Sequence, residues 1–406
     1  MSAASNIDAL PALRTAAEDG DPAALHRLAI ALAARQAHAE AFVLHKRAAI
    51  EGFVPAQLDL SRMLLHGIGC NAEPRTAVYW LRHAEGMGNA EASCQLAFIA
   101  LGGVAMPRDG RINERVLAAV QGDCPQALLA AAIHFGRKQN QADQQACVQL
   151  LDRAASHGAI IAAQLLAERL ARGEGCAMQS TAAQRIRRRL ASMGVAPLPA
   201  IWRPDEAAPA TPGARAAPPG TIALEDDLHA AATQTLSQQP WLMQIDALLS
   251  ADECRLLVAC ARYDSDADDG TGLHHEDLAL RLVQLRLARS ARMELAQAEP
   301  LRTSHFEHAH APDVDDPPRS DAHARAAARA GDRTRTIHVF LNADAGFAFA
   351  AAGIAVAAKP GRAVIVDGNA IEQVQARLRG RNVPAAERVG QWLATLHFRH
   401  RRYRDF

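Results

Sequence analysis

The stretch PAQLDLSRMLLHGIGCNAEPRTAVYWLRHAEGMG, residues 55–88, decides the fold. Ala56, Leu60, Met63 and Leu64 recur at helical spacing, Gly67 and Gly69 interrupt the pattern, and Ala77, Trp80, Leu81 and Ala84 restart it. The stretch therefore predicts two helices joined by a tight turn. Its closing phrase, Ala84 and Gly88, recurs along the chain: Ala16, Ala17 and Gly20; Ala48, Ala49 and Gly52; Ala118, Ala119 and Gly122; Ala154, Ala155 and Gly158; and last Gly194. These glycines lie 32, 36, 34, 36 and 36 residues apart, a period too regular for alanine-rich composition to produce. Small residues on facing helices let backbones approach closely, and glycine supplies the left-handed residue that closes a helix. Each phrase marks the end of one helical hairpin and the start of the next.

Gly67-Ile68-Gly69, Ala77, Trp80, Leu81, Ala84 and Gly88, with Gly173-Glu174-Gly175 repeating the G-x-G turn, resemble the Sel-one-like repeat family, relatives of the tetratricopeptide repeat. The resemblance covers roughly residues 10–195. It implies an α-solenoid of helical hairpins over residues 1–195 that offers a concave surface to a protein or peptide partner and performs no chemistry of its own.

Bulk properties narrow the partners. Among 406 residues, Lys plus Arg equals Asp plus Glu at 44 each, so no net charge draws the chain to nucleic acid or to an anionic membrane. The opening residues lack a basic start followed by an apolar run, and no later stretch has the length of a membrane span; a cytoplasmic location is expected. Seven scattered cysteines contain no C-x-x-C pair and read as reduced packing residues.

Residues 196–221, APLPAIWRPDEAAPATPGARAAPPGT, are rich in Pro and Ala without a helical or strand period and read as a linker. Beyond it, residues 222–406 change character. Trp241 to Ile245 predicts a short strand, and Ser250 followed by Glu253 predicts a capping box opening a helix. A second helix is expected over roughly residues 277–296, a polar, Pro-punctuated loop over 315–333, and strands at Thr336 to Asn342, FAFAA, GIAVAA, GRAVIVDG and QWLATLHFRHR. Helices followed by strands suggest a sheet sandwich or barrel backed by helices.

The phrases ALLSADECRLL, Glu299-Pro300-Leu301, Arg333 or Arg335 with Thr336 and Phe340-Leu341-Asn342, KPGRAVIV, and Gly390, Gln391, Trp392, Thr395, His397 and Arg399 run in order over the second half. Together they resemble the prolyl-4-hydroxylase-like branch of the iron and 2-oxoglutarate dependent dioxygenases. The resemblance implies a double-stranded β-helix of the cupin or jelly-roll kind, a facial triad of H-x-D plus a distal His for Fe(II), and a basic anchor for the far carboxylate of 2-oxoglutarate. Matched position by position, the H-x-D pair falls on Asp313 and Asp315, the distal His on Arg381 and the anchor lysine on Gln391.

An arginine at a ligand position brings a fixed positive charge that repels Fe(II). His305, close to His308 and His310, is a candidate replacement ligand beside Asp313 and Asp315, and Arg388 or Arg399 a candidate carboxylate anchor. Imidazoles suit iron or zinc, yet a His-rich loop, a packing role for His397 and a solvated Lys359 are the plainer readings of these residues. Two functions follow. The first is an interaction scaffold carrying a dioxygenase-like domain that has lost catalysis. The alternative is an active Fe(II)/2-oxoglutarate-dependent protein hydroxylase, an oxidoreductase with unusual ligands.

Overall fold

The computed structural model describes residues 9–201, 222–224, 233–239, 241–264, 277–306, 321–343, 345–349, 353–368, 376–380 and 390–404. By their contacts they divide into two compact units, one within residues 9–124 and the other within residues 125–404. The first carries α1 (Ala9–Glu18), α2 (Pro22–Ala33), α3 (His38–Ile50), α4 (Val54–His66), α5 (Pro74–Gly86), α6 (Ala90–Gly102) and α7 (Ile112–Gln121). The second opens with α8 (Pro125–Arg137), α9 (Gln141–Ser156), α10 (Ile160–Arg172) and α11 (Ser180–Ser192). The last two hairpins of the repeat array therefore belong to the same compact unit as the sheets that follow.

From α2 to α11 the helices pair as five antiparallel hairpins among the described residues. In the founding stretch, Ala56, Leu60, Met63, Leu64, Ala77, Leu81 and Ala84 are all buried, as their spacing predicts; each large apolar side chain so covered contributes on the order of 2 kcal/mol. Gly20, Gly52, Gly88, Gly158 and Gly194 all take a left-handed φ between 77° and 89° at hairpin ends. Gly122 departs from the expected equivalence. It caps α7 with φ −86°, and Asp123 takes the left-handed position with φ 56°. Gly122 is small for another reason: a methyl group there would meet the Ala90 Cβ at 2.4 Å. Measured between left-handed residues, the unequal intervals of 34 and 36 around Gly122 become two equal ones of 35, from Gly88 to Asp123 and from Asp123 to Gly158.

In the second unit β2 (Trp241–Ile245) occupies the predicted stretch, preceded by β1 (Thr233–Gln238). The predicted capping box opens α12 (Ala251–Asp264): the Ser250 backbone N–H donates to Glu253 Oε2 at 2.7 Å, and the Glu253 N–H donates to Ser250 Oγ at 3.3 Å. The next helix, α13 (Leu278–Ser290), is capped by Asp277, whose carboxylate accepts from the Leu280 N–H at 2.9 Å. It ends six residues before the expected point, where Arg292 takes φ 54°, and it is covered on nearly every side rather than amphipathic.

Then come β3 (Arg302–Phe306), α14 (Asp321–Ala330), β4 (Arg333–Phe340), β5 (Ala345–Phe349), β6 (Ile354–Val356), β7 (Ala363–Asp367), β8 (Ala376–Gly380) and β9 (Gln391–Arg399). Helix α14 corrects the loop expected over 315–333; its Ala-rich run DAHARAAARA has high helix propensity despite the flanking prolines. The large sheet has the order β1-β2-β7-β4-β9-β3 and the small one β6-β5-β8, with every pairing antiparallel.

Candidate functional site

The strongest polar construction in the second unit joins repeat helices to α12. Arg169 of α10 is 1% exposed, and its Nε donates to both carboxylate oxygens of Asp252 at 3.2 and 3.1 Å. Its Nη1 donates to Gln144 Oε1 at 3.0 Å. Arg255, fully buried, grips Glu174 of the second G-x-G turn with two bonds of 2.6 and 2.7 Å and reaches Asp252 Oδ1 at 3.0 Å. Burial alone would raise the Asp252 carboxyl, but Arg169 and Arg255 outweigh it and hold the group below its ordinary range. Gly136, inside α8, makes room for the pair: a methyl there would lie 2.7 Å from Asp252 Oδ2.

A second buried group repeats the theme. Glu253 lies between Arg137 of α8 and Arg286 of α13, and these two guanidinium groups outweigh burial in keeping it ionised. The chain leaving the repeats is pinned as well, because Arg172 Nη1 and Arg255 Nη2 both donate to the Ile201 carbonyl at 2.7 Å. A buried charge that loses its partner is strongly unfavourable, so these bonds tie the last hairpins to α12 and α13 rather than merely placing them side by side.

The large sheet has two unlike faces. Trp392 of β9 pairs with His305 of β3, their rings stack with centroids 4.6 Å apart, and Arg262 of α12 lies 5.3 Å from the Trp392 ring. The face carrying Trp392 is therefore the one α12 meets, and strand alternation puts Ile337, Val339, Ile365, Ala394, Leu396 and Phe398 on it. The opposite face carries Arg302, Thr336, His338, Thr395 and His397. Two cross-strand bonds run there: His397 Nδ1 to Thr336 Oγ1 at 2.8 Å and His338 Nδ1 to Thr395 Oγ1 at 2.9 Å.

Burial lowers the His338 imidazole to about 4. His397 is pushed well below its ordinary value by burial, then by the positive charge of Arg333, His338, Arg302 and Arg399. Both rings are neutral at pH 7. Each pairs with a threonine hydroxyl, and at pH 7 both are too weakly basic to act as general bases.

No protein-family model matches the chain, and no curated protein does. Many solved structures are similar to parts of it, these two among them. One is a Sel1 repeat protein from Oxalobacter formigenes, at 21% identity and TM-score 0.38, covering 43% of this chain and 74% of that one. The other is a protective antigen present in uropathogenic Escherichia coli strains and displaying an SLR fold, at 15% identity and TM-score 0.37, covering 71% of this chain and 58% of that one. With both TM-scores below 0.5, the repeat architecture rests on this chain's own hairpins and their closing residues.

Of the residues expected to form a metal and cosubstrate site, Asp313, Asp315, Arg381 and Arg388 lie outside the described residues. His305 is placed on the α12-facing side of the sheet, stacked on Trp392. Arg399 donates to Glu299 Oε1 at 2.7 Å and to the Gly331 carbonyl at 2.6 Å, and Glu299 also takes two bonds from Arg333. Gln391, at the anchor position, is buried and donates to Asn342 Oδ1 at 2.8 Å. Among the described residues the sheets bring together no three side chains able to hold a metal ion. Among the same residues, no single helix is long and apolar enough to cross a membrane.

The Arg169–Asp252 junction and the His338 and His397 face were not foreseen. The junction joins residues 83 apart in the chain with no spacing rule to announce them. The alternation in TIHVF and TLHFR did hold the face, since His338 and His397 each sit two residues from a threonine on the same side of a strand.

Proposed function

We propose that the protein is an interaction scaffold: the repeats hold a protein or peptide partner, and the sheet region is a dioxygenase-like domain of the prolyl 4-hydroxylase branch without turnover. In this reading the repeat array spans 1–195, a linker 196–221 and the dioxygenase-like domain 222–406. One observation carries the scaffold reading. Val43 of α3 and Tyr79 of α5 stand nine residues before their closing glycines, Gly52 and Gly88, and are 55% and 62% exposed. Consecutive repeats thus present a large apolar side chain from the same place, Ile50 of α3 is exposed as well, and a partner would cover such a surface.

The double-stranded β-helix reading is supported by the strand sequence: β4 and β7 lie in the large sheet, β5, β6 and β8 in the small one, and β9 returns between β4 and β3. The loss of turnover is supported by the engagement of Arg399 with Glu299 and of Gln391 with Asn342. The test is anaerobic titration of the full chain with Fe(II) and 2-oxoglutarate, followed by oxygen. No succinate above a heat-killed control is expected. Stoichiometric iron uptake with succinate release would establish the hydroxylase alternative.

A further inference from the structure

Among the described residues, one group of three side chains has the composition and spacing of a metal site, and it lies in the repeats, far along the chain from the expected triad. His26 of α2, His45 of α3 and Asp59 of α4 converge from three successive helices, with one ligand atom from each lying within 4.8 Å of the others. His26 Nδ1 is 3.3 Å from His45 Nδ1 and 3.8 Å from Asp59 Oδ2, and His45 Nε2 is 4.0 Å from that same oxygen. Ligands about 2.0–2.2 Å from a tetrahedral ion stand roughly 3.4 Å apart; His45 can give one ion either Nδ1, which faces His26, or Nε2, which faces Asp59, so the widest pair, within 4.8 Å, closes by about 1.4 Å at most on coordination.

We propose that His26, His45 and Asp59 bind a divalent transition ion, with Zn(II) the best fit, leaving one coordination position open. Two imidazoles and a carboxylate with a free fourth position is the donor set of an open zinc site rather than a closed structural one. The second oxygen of Asp59 is already engaged: Arg62 Nη2 donates to Asp59 Oδ1 at 2.8 Å, which aims Oδ2 at the two rings and supplies the outer support that ligating carboxylates need. His45 is nearly covered, while the His26 and Asp59 side chains are 13% and 24% exposed, so the open position lies towards solvent. Phe53, its ring centroid 5.3 Å from that of His26, closes one side.

This site stands apart from the scaffold reading and does not depend on it. The test is titration of the tag-free full chain with Co(II), read by its visible absorption, and then displacement by Zn(II). One equivalent of a tetrahedral-type Co(II) species is expected. His26→Gln, His45→Gln and Asp59→Asn should each weaken binding by about a hundredfold or more, with helicity kept, whereas His157→Gln, at an exposed helix end, should change nothing. Absence of saturable binding by the wild-type chain below about 100 μM would overturn the proposal. Equal binding by helical variants lacking His26, His45 or Asp59 would also overturn it.

Discussion

The hairpin α4–α5 and the hairpin α10–α11 are the same structure written 106 positions apart. Both helices begin and end at matching residues, from Val54 and Ile160 to Gly86 and Ser192. Gly69 and Gly175 match in detail: each has a left-handed φ, and a methyl would strike the His38 carbonyl at 2.3 Å or the Gln144 carbonyl at 2.4 Å, residues that are themselves 106 apart. Yet Met63, an apolar core residue, is answered by Arg169, and Ile68 in the turn is answered by Glu174. Those two exchanges let the later hairpin hold α12 through Asp252 and Arg255. The repeat is specified by its glycines and small residues. What it holds is specified by a few positions the repeat leaves variable.

The largest effect should come from undoing the first exchange. Arg169→Met gives α10 the residue of α4 and leaves Asp252 buried without its main partner, a loss of about 3–5 kcal/mol in urea unfolding of the full chain. Wild-type stability in this variant would break the comparison. Undoing the second exchange, Glu174→Ile, strips Arg255 of its two-bond partner and should cost about 2 kcal/mol in the same assay.

The polar face of the large sheet sharpens the contrast through pH. His338 is lowered from 6.5 to about 4 in the folded chain, so the unfolded chain binds the proton first. Its contribution is complete above about pH 6.5 and is lost as pH falls towards 4. Between about pH 7 and 5.5 the loss is roughly 1 kcal/mol from this residue, with His397 acting in the same direction. His338→Gln should flatten the pH dependence of unfolding by that amount; an unchanged slope would mean that the ring is not held neutral. The smallest effect belongs to the displaced hairpin end: Asp123→Gly, at φ 56°, should stabilise by about 0.5–1 kcal/mol, whereas Gly158→Ala, at φ 89°, should destabilise by a similar amount.

What the sequence disclosed follows the range of the forces involved. A left-handed hairpin end is a local backbone demand met by glycine, so the period of hairpins could be read directly, and only at Asp123 did another residue take the role. The capping box at Ser250 and Glu253 and the strand at Trp241 are equally local. Strand β1, TQTLSQ, carries no apolar alternation because it is largely exposed, so its pattern does not announce a strand. The contacts between Arg169 and Asp252 and among His26, His45 and Asp59 depend on which helices meet, which no spacing within one element encodes.

The central claim is that the last hairpin has been converted from a repeat into a holder of α12, and a double-mutant cycle on Arg169→Met and Asp252→Leu tests it most directly. Replacing both partners by apolar groups should recover much of the stability lost in either single variant, because neither charge is then left buried alone. The cycle should give a coupling of about 2–3 kcal/mol. Additive single effects, with coupling near zero, would contradict the account.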